Sequence, residues 1–123
     1  MIILDTSAII ELFNGTQKGL KVKEILENEA AGISAITINE LLVGANKKEK
    51  EIIHGFLSSL HILSFNSEAA YKSVELEEDL ISKGKIIGKL DIFIASIGLV
   101  SDLKILTADK DFNNVDGLNV ILV

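Results

Sequence analysis

Residues 2–7 read Ile2-Ile3-Leu4-Asp5-Thr6-Ser7, an apolar run that stops on a carboxylate and two hydroxyls. The three apolar residues predict a buried strand. The change to Asp-Thr-Ser predicts a helix start, because each of these side chains can cap a first turn. Ala8, Ile9, Ile10, Leu12 and Phe13 then suit a helix packed back on that strand. A buried strand followed by a helix is the unit of a parallel α/β sheet, where ligands bind beyond the carboxyl ends of the strands. Asp5 is expected at such an end.

Working outward, the same alternation recurs. Asn14-Gly15-Thr16 reads as a turn, and Gln17–Glu29 carries Val22, Ile25 and Leu26 on one face of an amphipathic helix. Ala30–Ile36 is a short apolar segment, read as a second buried strand. Thr37-Ile38-Asn39-Glu40 has the form of a capping box and predicts a helix from Ile38 to about Asn46. Ile52, Ile53, Phe56, Leu57 and Leu60 give Lys47–Leu60 a helical stripe. His61–Phe65 reads as a third strand and an edge candidate, and Asn66 and Ser67 open a helix to Lys83. Its run Glu75, Glu77, Glu78 and Asp79 reads as a solvated face.

The loop Lys83–Lys89 brings three lysines before Asp91. Ile92–Val100 is apolar throughout, so periodicity alone does not separate helix from strand. Asp91 at its start and Ala95, Ser96 and Gly98 within it favour helix. Lys104–Thr107 is a strand ending in Ala108-Asp109-Lys110-Asp111-Phe112, a further strand-to-helix corner with acids on it, and Asn119–Val123 supplies a last short strand. The expected fold is α/β, a central parallel sheet with helices on both faces.

At 123 residues the chain is expected to be one domain, 1–123, burying roughly two-thirds of the surface its unfolded chain exposes. Proline is absent and no Gly/Ser linker occurs, which argues against disorder. No apolar run approaches the roughly 20 residues of a membrane span and no signal-peptide pattern opens the chain, so a cytoplasmic protein without membrane partners is expected. Lack of cysteine removes thiol catalysis, disulfides and thiolate metal sites. A net charge of −6 argues against binding nucleic acid through a broad basic face. All twelve basic side chains are lysine, so any phosphate contact is made by point charges.

The chemistry therefore falls to carboxylates. Asp5 and Asp109 lie just past predicted strands, and Glu40 and Asp91 in the first turns of predicted helices. Each has a structural reading, since an acid in a first helical turn gains about 0.3–1 kcal/mol from the helix dipole. Parallel βα units place such corners on one edge of the sheet, however, where the acids can converge. Two carboxylates about 4 Å apart repel by up to about 4 kcal/mol at an effective dielectric of 20. A cluster of hard oxygen ligands is what Mg²⁺ or Mn²⁺ requires. His54 and His61 fall in a predicted helix and strand and are read as structural.

Asp5 in Ile-Leu-Asp-Thr-Ser-Ala, Glu40 in Thr-Ile-Asn-Glu-Leu-Leu, Asp91 in Lys-Leu-Asp-Ile-Phe-Ile-Ala and Asp109 in Leu-Thr-Ala-Asp-Lys-Asp-Phe resemble the acidic positions of PIN-domain nucleases. The resemblance covers the chain, whose compact length is similar to VapC-type toxins of toxin–antitoxin pairs. It implies a Mg²⁺- or Mn²⁺-dependent ribonuclease acting on RNA, a homodimer, and a cognate antitoxin. Asp5, Glu40 and Asp91 would be metal ligands, and Asp109 would complete the pocket directly or through water. Thr6 and Thr107 are candidate supports, and Thr107 would orient an acid or the attacking water. Asp111 would either join the site or cap the turn before Phe112. Lys85 and Lys89 are candidate contacts to RNA phosphates. Two alternatives stand beside this reading: a non-catalytic PIN-like module that binds RNA or protein, and a receiver-like signalling domain, which would need an Asp after the third strand.

Overall fold

The computed structural model describes residues 1–123. Five strands, β1 (Ile2–Leu4), β2 (Ala31–Ser34), β3 (His61–Leu63), β4 (Lys104–Thr107) and β5 (Val120–Leu122), form one sheet in the order β3-β2-β1-β4-β5. All four pairings are parallel, and β1 is central, with Leu4 opposite Ile33 on one side and Leu106 on the other. Six α-helices lie between the strands: α1 (Thr6–Asn14), α2 (Gln17–Leu26), α3 (Ala35–Leu42), α4 (Lys47–Leu57), α5 (Ser67–Ser82) and α6 (Lys89–Ser101).

Alternation along β1 explains the two layers. Ile2 and Leu4 point to a cluster with Ala8, Ile9, Val22, Ile33, Ile53, Leu57 and Leu106, which carries α1, α2 and α4 on one face. Ile3 points the other way, with Leu76, Leu80, Ile92, Ile94, Ile97, Ile105 and Phe112, under α5 and α6. Helices thus cover both faces of the parallel sheet, as the uninterrupted apolar strands require.

Chain order runs β1, β2, β3 to one side of the sheet and then returns past β1 to β4 and β5. The direction reverses between β1 and β4, and the crevice beyond the carboxyl ends at such a point is where open α/β sheets bind ligands. A receiver-like order, 2-1-3-4-5, is excluded because β3 is an edge strand.

Three local expectations are corrected. The helix after β2 starts at Ala35, capped by Ser34, whose Oγ accepts the Thr37 N–H at 3.1 Å. Thr37 therefore lies inside the first turn and Glu40 beyond it. The capping box belongs to Asn46 and Glu49, which open α4 with reciprocal bonds of 2.8 and 3.0 Å. The corner after β4 forms a single 3-10 turn, Lys110–Asn114, rather than an α-helix, and it drives Phe112 into the core.

The ambiguous Ile92–Val100 is the middle of α6. Ile92, Ile94, Ala95, Ile97 and Gly98 are all buried, so this helix has no polar face to create a period.

Candidate active site

The site is built at the switch between β1 and β4. Asp5 follows β1 directly, is 2% exposed and is the N-cap of α1, accepting the Ala8 N–H at 3.0 Å. Two further donors hold the same carboxylate. Ser7 Oγ lies 2.8 and 3.0 Å from its two oxygens, and Thr107 Oγ1, at the end of β4, donates to Oδ2 at 2.9 Å. Burial pushes the Asp5 carboxyl above its ordinary value, against these hydrogen bonds, which pull it down; the charge of Asp109 adds to the rise.

Thr107 and Ser7 tie the two corners together. Thr107 Oγ1 also accepts the Asp109 N–H at 2.9 Å, and Ser7 Oγ accepts the Ala108 N–H at 3.0 Å. Asp109 is the N-cap of the 3-10 turn, taking the Asp111 N–H at 2.9 Å. Asp109, not Asp111, is thus the cap before Phe112.

Glu40 reaches the site from α3, which touches both α1 and α6. Thr6 Oγ1 donates to Glu40 Oε1 at 2.6 Å and lies 3.3 Å from Thr37 Oγ1, which is 3.2 Å from Ser34 Oγ. Thr37 and Ser34 are fully buried. A row of hydroxyls from the end of β2 to the start of α1 therefore stands under Glu40. The role of Thr6 is legible only once the helix starts at Ala35.

Asp91 lies in the first turn of α6, whose start at Gly88 has no side-chain cap. It is half-buried and accepts no hydrogen bond. Its carboxyl is pushed up to about 6, first by burial and then by the charges of Asp109, Asp5, Glu40 and Asp111. Asp91 is therefore the point at which the fields of the four other acids meet.

These oxygens match the preference of hard divalent cations. As placed, no three of the carboxylates form a set that grips one ion. The electrostatic gathering weighs more than that misfit, because Asp91 is untethered and a change of its rotamer costs little. The residues fit a divalent cation in donor type.

The remaining candidates lie outside this group. Lys89 Nζ bonds both carboxylate oxygens of Glu77, at 2.9 and 2.7 Å, and sits 6.0 Å from the centre of the Phe93 ring. Lys85 is exposed in the loop before α6. His61 starts β3, at the opposite edge of the sheet, and His54 is exposed on α4. Sequence reasoning missed the anchoring by Ser7, Ser34 and Thr37. A Ser two residues after Asp5 was a local signal for the first of these; the others depend on tertiary placement.

Residues 2–118 match the family model of the PIN domain. Ribonuclease VapC3 of Methanocaldococcus jannaschii is 36% identical over 95 residues, 77% of this chain and 95% of the relative. The tRNA(fMet)-specific endonuclease VapC of Salmonella typhimurium is 26% identical over 124 residues, 96% of this chain and 94% of that one. Among solved structures, VapBC2 from Rickettsia felis, bound to a DNA fragment from its promoter, matches with a TM-score of 0.86 at 27% identity, over 100% of this chain and 99% of that chain. With the acids of four separate segments gathered at the switch of a five-stranded parallel sheet, the chain belongs to the PIN-domain family, among the VapC-type ribonucleases.

Proposed function

We propose that residues 1–123 form one PIN-like nuclease domain, a Mg²⁺- or Mn²⁺-dependent endoribonuclease that hydrolyses RNA phosphodiester bonds as the toxin of a VapBC-type pair. The observation that carries this reading is the charge of Asp5, Glu40, Asp109 and Asp111 converging on a half-buried, untethered Asp91.

Asp5, Glu40, Asp91 and Asp109 would hold the ion, Asp109 directly or through water. When bound, the ion supplies Lewis-acid activation of water at neutral pH and neutralises charge on the phosphate under attack. The chain's own groups supply orientation. Ala8 N–H, Ser7 and Thr107 fix the plane of Asp5, three donors against its four lone-pair sites, and Thr6 fixes one oxygen of Glu40. Thr107 links Asp5 to the backbone of Asp109, so the β1 and β4 corners keep their spacing. Asp111 adds charge at the rim. Lys85 is available to an RNA phosphate, whereas Lys89 is paired with Glu77.

Exposed apolar side chains fit the expected protein partners. Ile10 and Phe13 on α1 and Ile52 on α4 are exposed, and Phe13, Ile52 and Ile53 with Glu49 line a cleft of about 260 Å³ suited to an antitoxin segment. Tyr71, Val74 and Ile81 on α5 form a second exposed group, suited to a homodimer. No helix is long and apolar enough to cross a membrane, and a cytoplasmic location is part of the same reading.

The test is cleavage of single-stranded RNA by protein freed of contaminating nuclease. Activity should vanish in excess EDTA and return with Mg²⁺ or Mn²⁺. Undiminished cleavage in EDTA overturns the metal reading.

A further inference from the structure

We propose that Lys18 and Lys110 hold a phosphate of the substrate RNA in a cleft that adjoins the acidic site on its β5 side. This rests on the ribonuclease reading and adds to it a binding path for the RNA strand. The cleft measures about 600 Å³ and opens between the start of α2 and the corner after β4. Ser7 and Asp109 form its inner wall, and both belong to the acidic site: Ser7 donates to Asp5, and the Asp109 N–H bonds Thr107. Lys18 stands on one rim, in the first turn of α2, and Lys110 on the other, directly after Asp109.

Placement on this cleft, with charge left unpaired, singles out these two lysines. A chain of net charge −6 with an acidic centre repels a polyanion unless cations flank that centre. The four ion pairs of the protein engage Lys72, Lys83 and Lys89. Lys18 and Lys110 are in none of them and are exposed. Between the rims, Leu122 and Val123 give the cleft an apolar floor, with Leu122 45% exposed at the edge of the sheet. An anion held by the two ammonium groups would set its neighbouring ribose or base on that floor and direct the next phosphodiester toward Asp109 and Asp91. Lysine suits this role because a point charge places a phosphate without reading sequence.

The experiment uses a short single-stranded RNA of mixed sequence and the full chain. Cleavage is measured with Mg²⁺ and binding is measured in EDTA, both across a salt series. Lys18→Ala and Lys110→Ala should each raise KM severalfold with kcat within about twofold. Each should also reduce the slope of log affinity against log salt by about 0.7, the value for one phosphate contact on a single strand. Lys18→Arg and Lys110→Arg should restore both quantities. Lys104→Ala, at the amino end of β4 and so at the other end of the strand from the site, should change neither. Unchanged KM and slope in the double alanine variant, with the parent cleaving normally, overturns the inference and leaves the ribonuclease reading standing. A parent that neither binds nor cleaves the RNA overturns both.

Discussion

Asp91→Asn separates the chemistry of the site from the stability of the fold. Asp91 has its carboxyl raised from 3.8 to about 6, with burial the largest cause and four acidic neighbours adding to it. At about 1.36 kcal/mol per pH unit, that rise corresponds to about 3 kcal/mol against the charged form. The side chain is only half-buried and water screens its neighbours, so about 1–2 kcal/mol is the effective penalty. Asparagine removes the charge and also gives up a favourable helix-dipole interaction of about 0.3–1 kcal/mol. The metal-free variant should therefore be more stable than the parent at pH 7 by about 1 kcal/mol, or about 3–5 °C in Tm for a domain of this size.

The sign follows from proton linkage. A carboxyl with a raised folded-state value binds its proton more tightly in the native state, so the parent loses stability as pH climbs from 3.8 to about 6. Melting curves in EDTA from pH 4 to 8 should show the variant's advantage growing across that window and constant above it. Mg²⁺ should raise the Tm of the parent much more than that of the variant, because binding to the native state offsets the repulsion. Cleavage should be lost. A variant less stable than the parent at pH 7, or an advantage independent of pH, refutes the argument. From the sequence, mutual repulsion of the acids predicts the same relief for Asp5→Asn; the structure changes that expectation. Asp5 caps α1 and accepts bonds from Ala8, Ser7 and Thr107, so an amide there would point a donor at donors and should destabilise the fold by about 1–3 kcal/mol.

Two further substitutions test the supports of the site and of the fold. Thr6→Val removes the donor 2.6 Å from Glu40 and should lower kcat about tenfold, equal to about 1.4 kcal/mol, with KM little changed; Thr6→Ser should restore the rate. Gly19→Ala would place a Cβ 2.1 Å from the backbone oxygen of Glu11, where α1 and α2 meet, and should cost about 3 kcal/mol or more in urea unfolding. In the same assay, Gly55→Ala on α4, with nothing within 4 Å, should stabilise by about 0.5–1 kcal/mol.

The strand-to-helix corners were legible because burial leaves a local trace. Ile2–Leu4 and Lys104–Thr107 announce themselves as apolar segments closed by Asp and Thr, and both form inner strands. The start of α3 was not legible, because Ser34-Ala35-Ile36-Thr37 and Thr37-Ile38-Asn39-Glu40 both fit a cap template. Which one acts depends on where β2 leaves the sheet, and β2 runs to Ser34, paired with Leu63. That three-residue difference moves Glu40 from a capping position to one facing Thr6. The 3-10 turn after β4 was equally hidden, since Phe112 and Val115 are drawn into a core assembled from α5 and α6, far along the chain. Lys18 carries no local signal, because only the packing of α2 beside β5 brings it to the cleft that Asp109 and Lys110 line.

The site divides into a fixed half and a free half, and the sheet order accounts for this. β1 is hydrogen-bonded to β2 and β4, so the residues just past its end can be held from both sides. Asp5 is held by the hydroxyl that closes β4, and Thr6 reaches the helix that follows β2. Asp91 comes from α6, which follows a loop rather than a strand and has no cap at Gly88, so no neighbour donates to its carboxylate. Each fixed acid has its charge compensated by hydroxyl or backbone donors, leaving the uncompensated repulsion on the one acid that can move. A divalent cation entering this crevice would meet carboxylates already set at the switch point and draw in the remaining one. The same contact that completes its coordination would remove the strain on Asp91. Stability lost to the metal-free fold at neutral pH would thus be recovered when the cation binds, a coupling that follows from where β4 lies beside β1.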